Sequence, residues 1–288
     1  MKETEKNKTA QSTLYLVATP IGNLADMSER AIKVLSEVDF IAAEDTRNSL
    51  RLLTYFGISK PLTSYYEHNK RERGEEIVSR LLAGESCALI TDAGTPAVSD
   101  PGEDLVRLCA ERGVTVTAVP GACAMINALA LSALSTSRFA FEGFLPVQKK
   151  QRKERLKALE REERTFILHE APHKLRATLE ELCELLGGNR RIAICRELTK
   201  LNEEVVRTTL KDACGIYSER EPRGEYVLVI EGAEFSKIEE EKELTLDELR
   251  AAVQKACSEG MSRNSAIKAV AEANGMTRNE LYDLLIEK

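Results

Sequence analysis

Short β-branched apolar runs alternate with amphipathic stretches from Leu14 to Pro120, and this alternation narrows the possible folds more than any other feature of the chain. The runs are LYLVAT, VDFIAAED, PLTSYY, SCALIT and VTVTAVP. Between them lie SERAIKVLSEV, RNSLRLLTYFG, GEEIVSRLLAG and DPGEDLVRLCAERG, whose apolar residues recur at helical spacing. A repeated strand, helix, strand order specifies an α/β layer with a mostly parallel sheet, because parallel neighbours need a crossover and the crossover helix covers a sheet face.

A second series follows the polar stretch SALSTSRF: FAFEGF, RTFILHE, RRIAICREL, EEVVRTTL and EYVLVIEG, with KERLKALEREE and HKLRATLEELCELLGG as helical candidates. The chain therefore divides into a polar N-terminus expected to be disordered (1–13), a first α/β domain (14–136), a second, smaller α/β domain (137–232), a charged linker (233–243) and a helical tail (244–288). In the tail, LDELRAAVQKACSEG, SRNSAIKAVAEANG and TRNELYDLLIEK follow Thr or Ser caps, and the last two resemble a helix-turn-helix. Six basic against seven acidic residues is not the charge of a DNA-reading module, so a packing role and a nucleic-acid contact both stay open for the tail.

With 288 residues, 43% of them hydrophobic and 31% charged, the chain can build a core without staples and is neither fibrous nor disordered. No apolar stretch approaches the roughly 20 residues of a membrane span, and the N-terminus lacks an apolar signal core. A cytoplasmic location without a membrane partner is expected. The seven cysteines are an odd number, widely spaced and never in a CxxC pair, which reads as reduced core thiols. His169 and His173 lie four apart, but Pro172 sits between them, and no metal site is expected.

The net charge of −6 excludes a protein that simply coats nucleic acid. One segment departs from it: PVQKKQRKERLKA, residues 146–158, has six basic residues against Glu154 alone, a net +5. It is either a solvated helix face or an RNA contact.

Ligands of open α/β sheets bind outside the carboxyl ends of the strands, and five such ends carry unusual residues. Thr19 to Asn23 follow the first run, Glu44, Asp45, Thr46 and Arg47 the second, Asp92 to Gly102 the fourth and Pro120 to Ala122 the fifth; His169 and Glu170 end a strand of the second series. Asp45 and Asp100 each also read as helix caps. GxGxxG and GxxxxGK[ST] are both absent, and neither a Ser-His-Asp nor a Cys-His order is legible. The residues alone lead to a two-domain α/β protein with a small-molecule cleft.

The ordered set LYLVATPIGNLADMSERAIKVLSEVDFIAAEDTR, ITDAGTPAVSDPG, VPGACA, FEGFLP, HEAPHKL, CRELTK and RGEYVLVIEG, from Leu14 to Gly232, resembles the bacterial small-subunit ribosomal RNA cytidine 2′-O-methyltransferases within the tetrapyrrole methylase superfamily. VPG alone is shared with porphyrin methylases; TPIGN, EDTR and DAGTPAVSDPG together are specific. The chain departs from the pattern at Tyr66, Glu67 and His68, where a His pair is expected, and at Leu201 and Asn202, where an aromatic is expected. The resemblance implies two α/β domains with a ligand cleft between them, a C-terminal helical tail, S-adenosylmethionine in the cleft, a homodimer, and ribosomal RNA or a ribosomal particle as partner.

By motif position, the resemblance assigns donor binding to Pro20, Gly22, Asp92, Gly94, Thr95, Pro96, Val98, Ala124 and Met125. A ribose 2′-hydroxyl needs a proton acceptor, and Asp45 with Glu44, beside Arg47, are the expected catalytic group. His68, Lys70, Arg71 and Arg73, with Lys149, Lys150, Arg152 and Lys153, are the expected RNA contacts. Two other readings are a porphyrinoid methylase of the same superfamily and a ligand-sensing regulator that binds DNA through its tail.

Overall fold

A computed structural model describes residues 9–233, 246–258, 260–273 and 276–286. One compact unit runs to Gly232 and a second begins at Ala233.

The first unit contains two sheets. The first is formed by β1 (Thr13–Val17), β2 (Phe40–Ala43), β3 (Leu62–Ser64), β4 (Cys87–Ile90) and β5 (Thr115–Val119), all parallel, in the order β3-β2-β4-β1-β5. Every residue of β2 and β4 is buried, as central strands covered on both faces must be. The pleat sorts their side chains. Tyr15, Val17, Ile41 and Ile90 meet α1 (Glu29–Glu37) and α2 (Thr46–Tyr55) on one face, whereas Leu14, Phe40 and Leu89 meet α3 (Lys70–Leu82) and α4 (Gly102–Glu111) on the other. The first helix starts where Ser28 Oγ accepts from the Ala31 amide at 3.1 Å. The third run yields a strand of only three residues; Tyr65 beyond it is buried and donates its hydroxyl to the Pro101 carbonyl at 3.1 Å.

The second sheet has the order β6-β7-β10-β8-β9, from β6 (Phe139–Phe144), β7 (Thr165–Glu170), β8 (Arg191–Arg196), β9 (Glu204–Thr209) and β10 (Tyr226–Ile230). Only the β6–β7 pair is parallel. One face is covered by α6 (Lys149–Glu160), α7 (Leu175–Leu186) and α8 (Leu210–Glu219). Leu175, Leu179 and Leu182 of α7 recur at helical spacing and are fully buried, each worth about 1.5–3 kcal/mol of transfer free energy.

The opposite face is covered from the first half of the chain. Helix α5 (Ala124–Leu131), which follows β5, lays Ala128 and Leu129 on Ile167, Ala193, Val227 and Val229, and Ile21 joins the same cluster. The two sheets are thereby joined through apolar packing rather than by a linker. Neither α5 nor α8 is expected from the sequence. AMINALAL has Asn127 as its single polar residue and shows no amphipathic period, and α8 is a short helix nucleated by the Thr209 cap.

In the second unit, α9 (Leu246–Ser258), α10 (Arg263–Ala273) and α11 (Arg278–Ile286) match the three helical patterns and share a core of Leu249, Val253, Ala266, Ile267, Ala271 and Leu281. Of the N-terminus expected to be disordered, residues 1–8 lie outside the described residues; Ala10 donates its amide to Tyr15 Oη at 2.7 Å and Thr13 opens β1. Residues 234–243 of the expected linker also lie outside the described residues. Among the described residues no helix is long and apolar enough to cross a membrane.

Candidate active site

Strands β4, β1 and β5 are neighbours, so the loops that leave their carboxyl ends lie side by side. Three contacts knit them into one floor. Thr19 and Gly94 exchange backbone hydrogen bonds at 2.9 and 3.0 Å, Thr19 Oγ1 donates to the Thr91 carbonyl at 3.0 Å, and Thr95 Oγ1 donates to the Ala122 carbonyl at 3.1 Å. Gly94 has a φ of +87°, which an L side chain rarely adopts.

Beyond Gly94 the loop is held by one carboxylate. Asp100 accepts from the amides of Ala97 at 3.0 Å, Val98 at 3.2 Å and Gly102 at 2.7 Å. Three convergent donors offset the strain of Ala97 and Ser99, both non-glycine residues with positive φ. The cap position of α4 falls on Pro101 and not, as expected, on Asp100, whose carboxylate is given to the loop and to the first amide of the helix. Asp100 thereby shapes the loop that carries Val98, and Ser99 at its tip meets Gly143 of β6, where an added Cβ would stand 3.3 Å from Ser99 Oγ.

On the β2 side, α2 begins directly at the strand end. Asp45 is its cap, accepting from the Arg47 amide at 2.8 Å, and the Arg47 guanidinium lies 3.1 Å from its other oxygen. The Arg47 side chain and amide hold the Asp45 carboxyl below the usual range. Glu44 is exposed and accepts from Thr91 Oγ1 at 3.1 Å, and Asn48 donates to Asp92 at 3.2 Å. A pocket of about 210 Å³ opens here between α2 and the turn after β1, with Pro20, Gly22, Thr91 and Asp92 among its walls.

The second sheet contributes a segment whose role sequence reasoning missed, the Glu197–Lys200 turn after β8. Glu197 and Thr199 both have positive φ. Lys200 Nζ bridges Glu197 and Glu225, 2.9 Å from each. Its aliphatic stem crosses Gly22 so closely that an added Cβ there would stand 2.3 Å from Lys200 Cγ and 3.1 Å from Thr199 Oγ1. The RELTK motif was the available signal, but nothing local ties it to a glycine far earlier in the chain.

Ala124 and Met125 open α5 and pack partly buried beside Ile21. At the end of β7, His169 packs edge-on against Phe141 and Phe144, and burial holds its pKa below the ordinary value. Glu170 folds back to accept from the Ala171 amide and from Thr178 Oγ1, a structural arrangement.

The expected RNA contacts fall into two groups. Lys70 is held between Glu67 and Asp104 and Arg73 pairs with Glu76, whereas His68 and Arg71 are exposed. On α6, Lys149, Lys150 and Lys153 are exposed and make no ion pair among the described residues; Arg152 turns inward to Glu181 and Thr178.

A parallel sheet whose strand ends form a backbone-lined floor, faced by a mixed sheet, defines the tetrapyrrole methylase class: the sequence profile of the family described as Tetrapyrrole (Corrin/Porphyrin) Methylases matches residues 13–214. Curated proteins named Ribosomal RNA small subunit methyltransferase I are similar over nearly the whole chain. That of Synechocystis sp. is 46% identical, covering 95% of this chain and 97% of its own length; that of Bacillus subtilis is 43% identical, covering 96% and 94%. The chain belongs to the ribosomal RNA small subunit methyltransferase I family of the tetrapyrrole methylases.

Among solved structures, the uroporphyrin-III C-methyl transferase of Thermus thermophilus complexed with S-adenyl homocysteine has a TM-score of 0.54 at 17% identity, covering 76% of this chain and 97% of that one. The methyltransferase CobJ has a TM-score of 0.57 at 17% identity, covering 76% and 94%. At such identities the likeness is one of fold.

Proposed function

We propose that this chain transfers a methyl group from S-adenosylmethionine to the ribose 2′-hydroxyl of a cytidine in small-subunit ribosomal RNA, as a cytoplasmic homodimer acting on the RNA or on a ribosomal particle. The observation that carries this reading is the floor tied by Thr19, Gly94, Thr95 and Ala122, in a chain 40–46% identical to proteins named for that substrate.

The floor fits the donor. It presents backbone carbonyls and amides, and the nearby carboxylates Glu44 and Asp92 have no ion-pair partner among the described residues, which suits a cationic sulfonium. Bound S-adenosylmethionine supplies an electrophilic methyl group. Gly94, Thr95, Pro96 and Val98 form one side of its bed, Pro20, Gly22 and Asp92 another, and Ala124 and Met125 the end of α5. Glu44 takes the proton of the 2′-hydroxyl at a carboxylate oxygen, while Asp45 fixes α2 and aims Arg47, whose side chain is 88% exposed, toward RNA phosphate.

Helix α6 supports an RNA substrate in a second way. Lys149 and Lys150 occupy its first turn, where the helix dipole disfavours cations, and no acidic residue offsets them there. Local stability does not account for such a placement; phosphate binding does, together with Lys153 and, across the other domain, His68 and Arg71. Lys70, Arg73 and Arg152 steady these elements through their ion pairs. The apolar side chains of Ile126, Leu131 and Phe139, each more than a third exposed, offer a second copy something to bury.

The test is incubation with labelled S-adenosylmethionine and either unmethylated small ribosomal subunits or precorrinoid macrocycles. Label at a cytidine 2′-oxygen is expected; label in the macrocycle alone overturns the reading.

A further inference from the structure

The pocket between α2 and the turn after β1 shares Pro20, Gly22 and Asp92 with the proposed donor bed, but its other walls, Leu24, Asn48, Ser49, Leu52 and Thr91, have no part in that bed. At about 210 Å³ it is smaller than the roughly 300–1,000 Å³ of cavities that enclose drug-sized ligands. A tetrapyrrole does not fit it; one nucleobase with its sugar edge does. Its walls divide by chemistry. Pro20, Leu24 and Leu52 offer apolar surface, and Asn48, Ser49 and Asp92 offer polar atoms.

Ser49 is the informative residue. It is 4% exposed, yet its Oγ has no hydrogen-bond partner among the described residues. A helical serine commonly satisfies its hydroxyl on the carbonyl four residues back, and this one does not. A buried hydroxyl at a pocket wall with no protein partner keeps its hydrogen-bonding capacity for whatever enters the pocket. The Asp92 carboxylate accepts from Asn48 and retains further acceptor capacity.

We propose that this pocket receives the unstacked pyrimidine of the acceptor nucleotide, held between Leu24 and Leu52, with Ser49 Oγ and Asp92 meeting its polar edge. The inference rests on the RNA methylation reading above and names the subsite within it. Enzymes that modify a nucleotide commonly take it out of its stack into a fitted pocket, and an RNA loop can present such a base. A hydroxyl and a carboxylate complement cytosine, which offers ring acceptors and an exocyclic amine donor. Seated there, the ribose lies toward Thr91, whose hydroxyl donates to Glu44, next to the shared wall of the donor bed.

The experiment measures steady-state methylation of unmethylated small ribosomal subunits, together with donor-product affinity and melting temperature, for the full-length wild type, Ser49→Ala and Leu52→Trp. Ser49→Ala is expected to lose about tenfold in kcat/KM, chiefly through KM for the particle. Leu52→Trp, which fills the pocket from a half-buried position, is expected to lose at least 100-fold. Both should bind S-adenosylhomocysteine within twofold of wild type. Normal turnover by both variants overturns the proposal, as does a parallel loss of S-adenosylhomocysteine affinity, which would make this the donor's pocket. A wild type that labels no small-subunit RNA overturns the underlying reading instead. Should Leu52→Trp fail to fold, Ser49→Ala, which only removes an oxygen, decides alone.

Discussion

Thr19 and Gly94 pair as antiparallel neighbours although the strands that lead to them, β1 and β4, run parallel. Both chains have left the sheet at that point, and the loop after β4 has turned back across the end of β1. The pair closes the site floor with two backbone hydrogen bonds that no side chain can replace.

Gly94→Ala should therefore damage the site as well as the fold. At a φ of +87° an alanine is strained by about 1–2 kcal/mol, and its Cβ would stand 3.4 Å from Ile21 Cγ2. Gly57 also has positive φ, +69°, but with nothing within 4 Å of an added Cβ. Gly57→Ala should lower the melting temperature similarly and leave S-adenosylhomocysteine affinity intact, while Gly94→Ala weakens it at least fivefold. Calorimetric titration of both variants separates the two effects.

Two adjacent carboxylates compete for the role of proton acceptor. Asp45 is committed to the α2 cap and to Arg47, with its proton affinity lowered by both, whereas Glu44 meets the Thr91 hydroxyl and no cation among the described residues. Glu44→Gln should lower turnover by about 10²-fold with donor affinity unchanged. Asp45→Asn preserves a good capping side chain and should cost less than tenfold. The reverse order in single-turnover rates would give proton transfer to Asp45.

Replacing Lys149, Lys150 and Lys153 together with alanine should weaken RNA binding and flatten its salt dependence by about 0.7–0.9 in log–log slope for each phosphate that is no longer neutralised. Because two of these cations oppose the helix dipole, the triple variant should be no less thermostable than wild type. Arg152→Ala should behave oppositely, losing about 1–2 kcal/mol with its Glu181 and Thr178 partners and leaving the salt slope nearly unchanged. Binding isotherms across a salt series with parallel thermal melts distinguish them.

Acid stability should depend on Glu162. The Arg164 side chain and amide lower its pKa from 4.5 to about 2. A carboxyl whose folded pKa is depressed contributes stability that is complete above the unfolded value and is lost as pH falls through the folded one. Glu162→Gln should therefore melt earlier than wild type at pH 7, with the difference shrinking between pH 4.5 and about 2. An unchanged difference at pH 2 would show that the pair's contribution is not ionic.

The alternation of Leu14 to Pro120 was enough to order the first sheet's strands and helices along the chain, because the central runs must bury both faces and each crossover helix one. The tail helices were legible for the same reason, each carrying its own period and cap. Helix α5 was not, since a segment with Asn127 as its single polar residue has no period to read; its partners Ile167, Ala193 and Val229 come from strands much later in the chain.

The same division runs through the site. The residue types at the strand ends, Thr19 to Asn23, Glu44 to Arg47 and Asp92 to Gly102, were readable because the parallel sheet dictates where a ligand lies. Which of them act together was decided only in three dimensions. Asp45 caps α2, as its place in the sequence suggested, and Asp100 takes amides only two and three residues away, whereas Arg152 turned inward, Ser49 was left buried without a partner among the described residues, and Lys200 came to lie across Gly22. Periodicity reports the local choice of helix or strand, whereas the roles of Arg152 and Lys200 depend on contacts between segments tens to hundreds of residues apart, and the approach of Lys200 to Gly22 exists only once the two sheets have packed through α5.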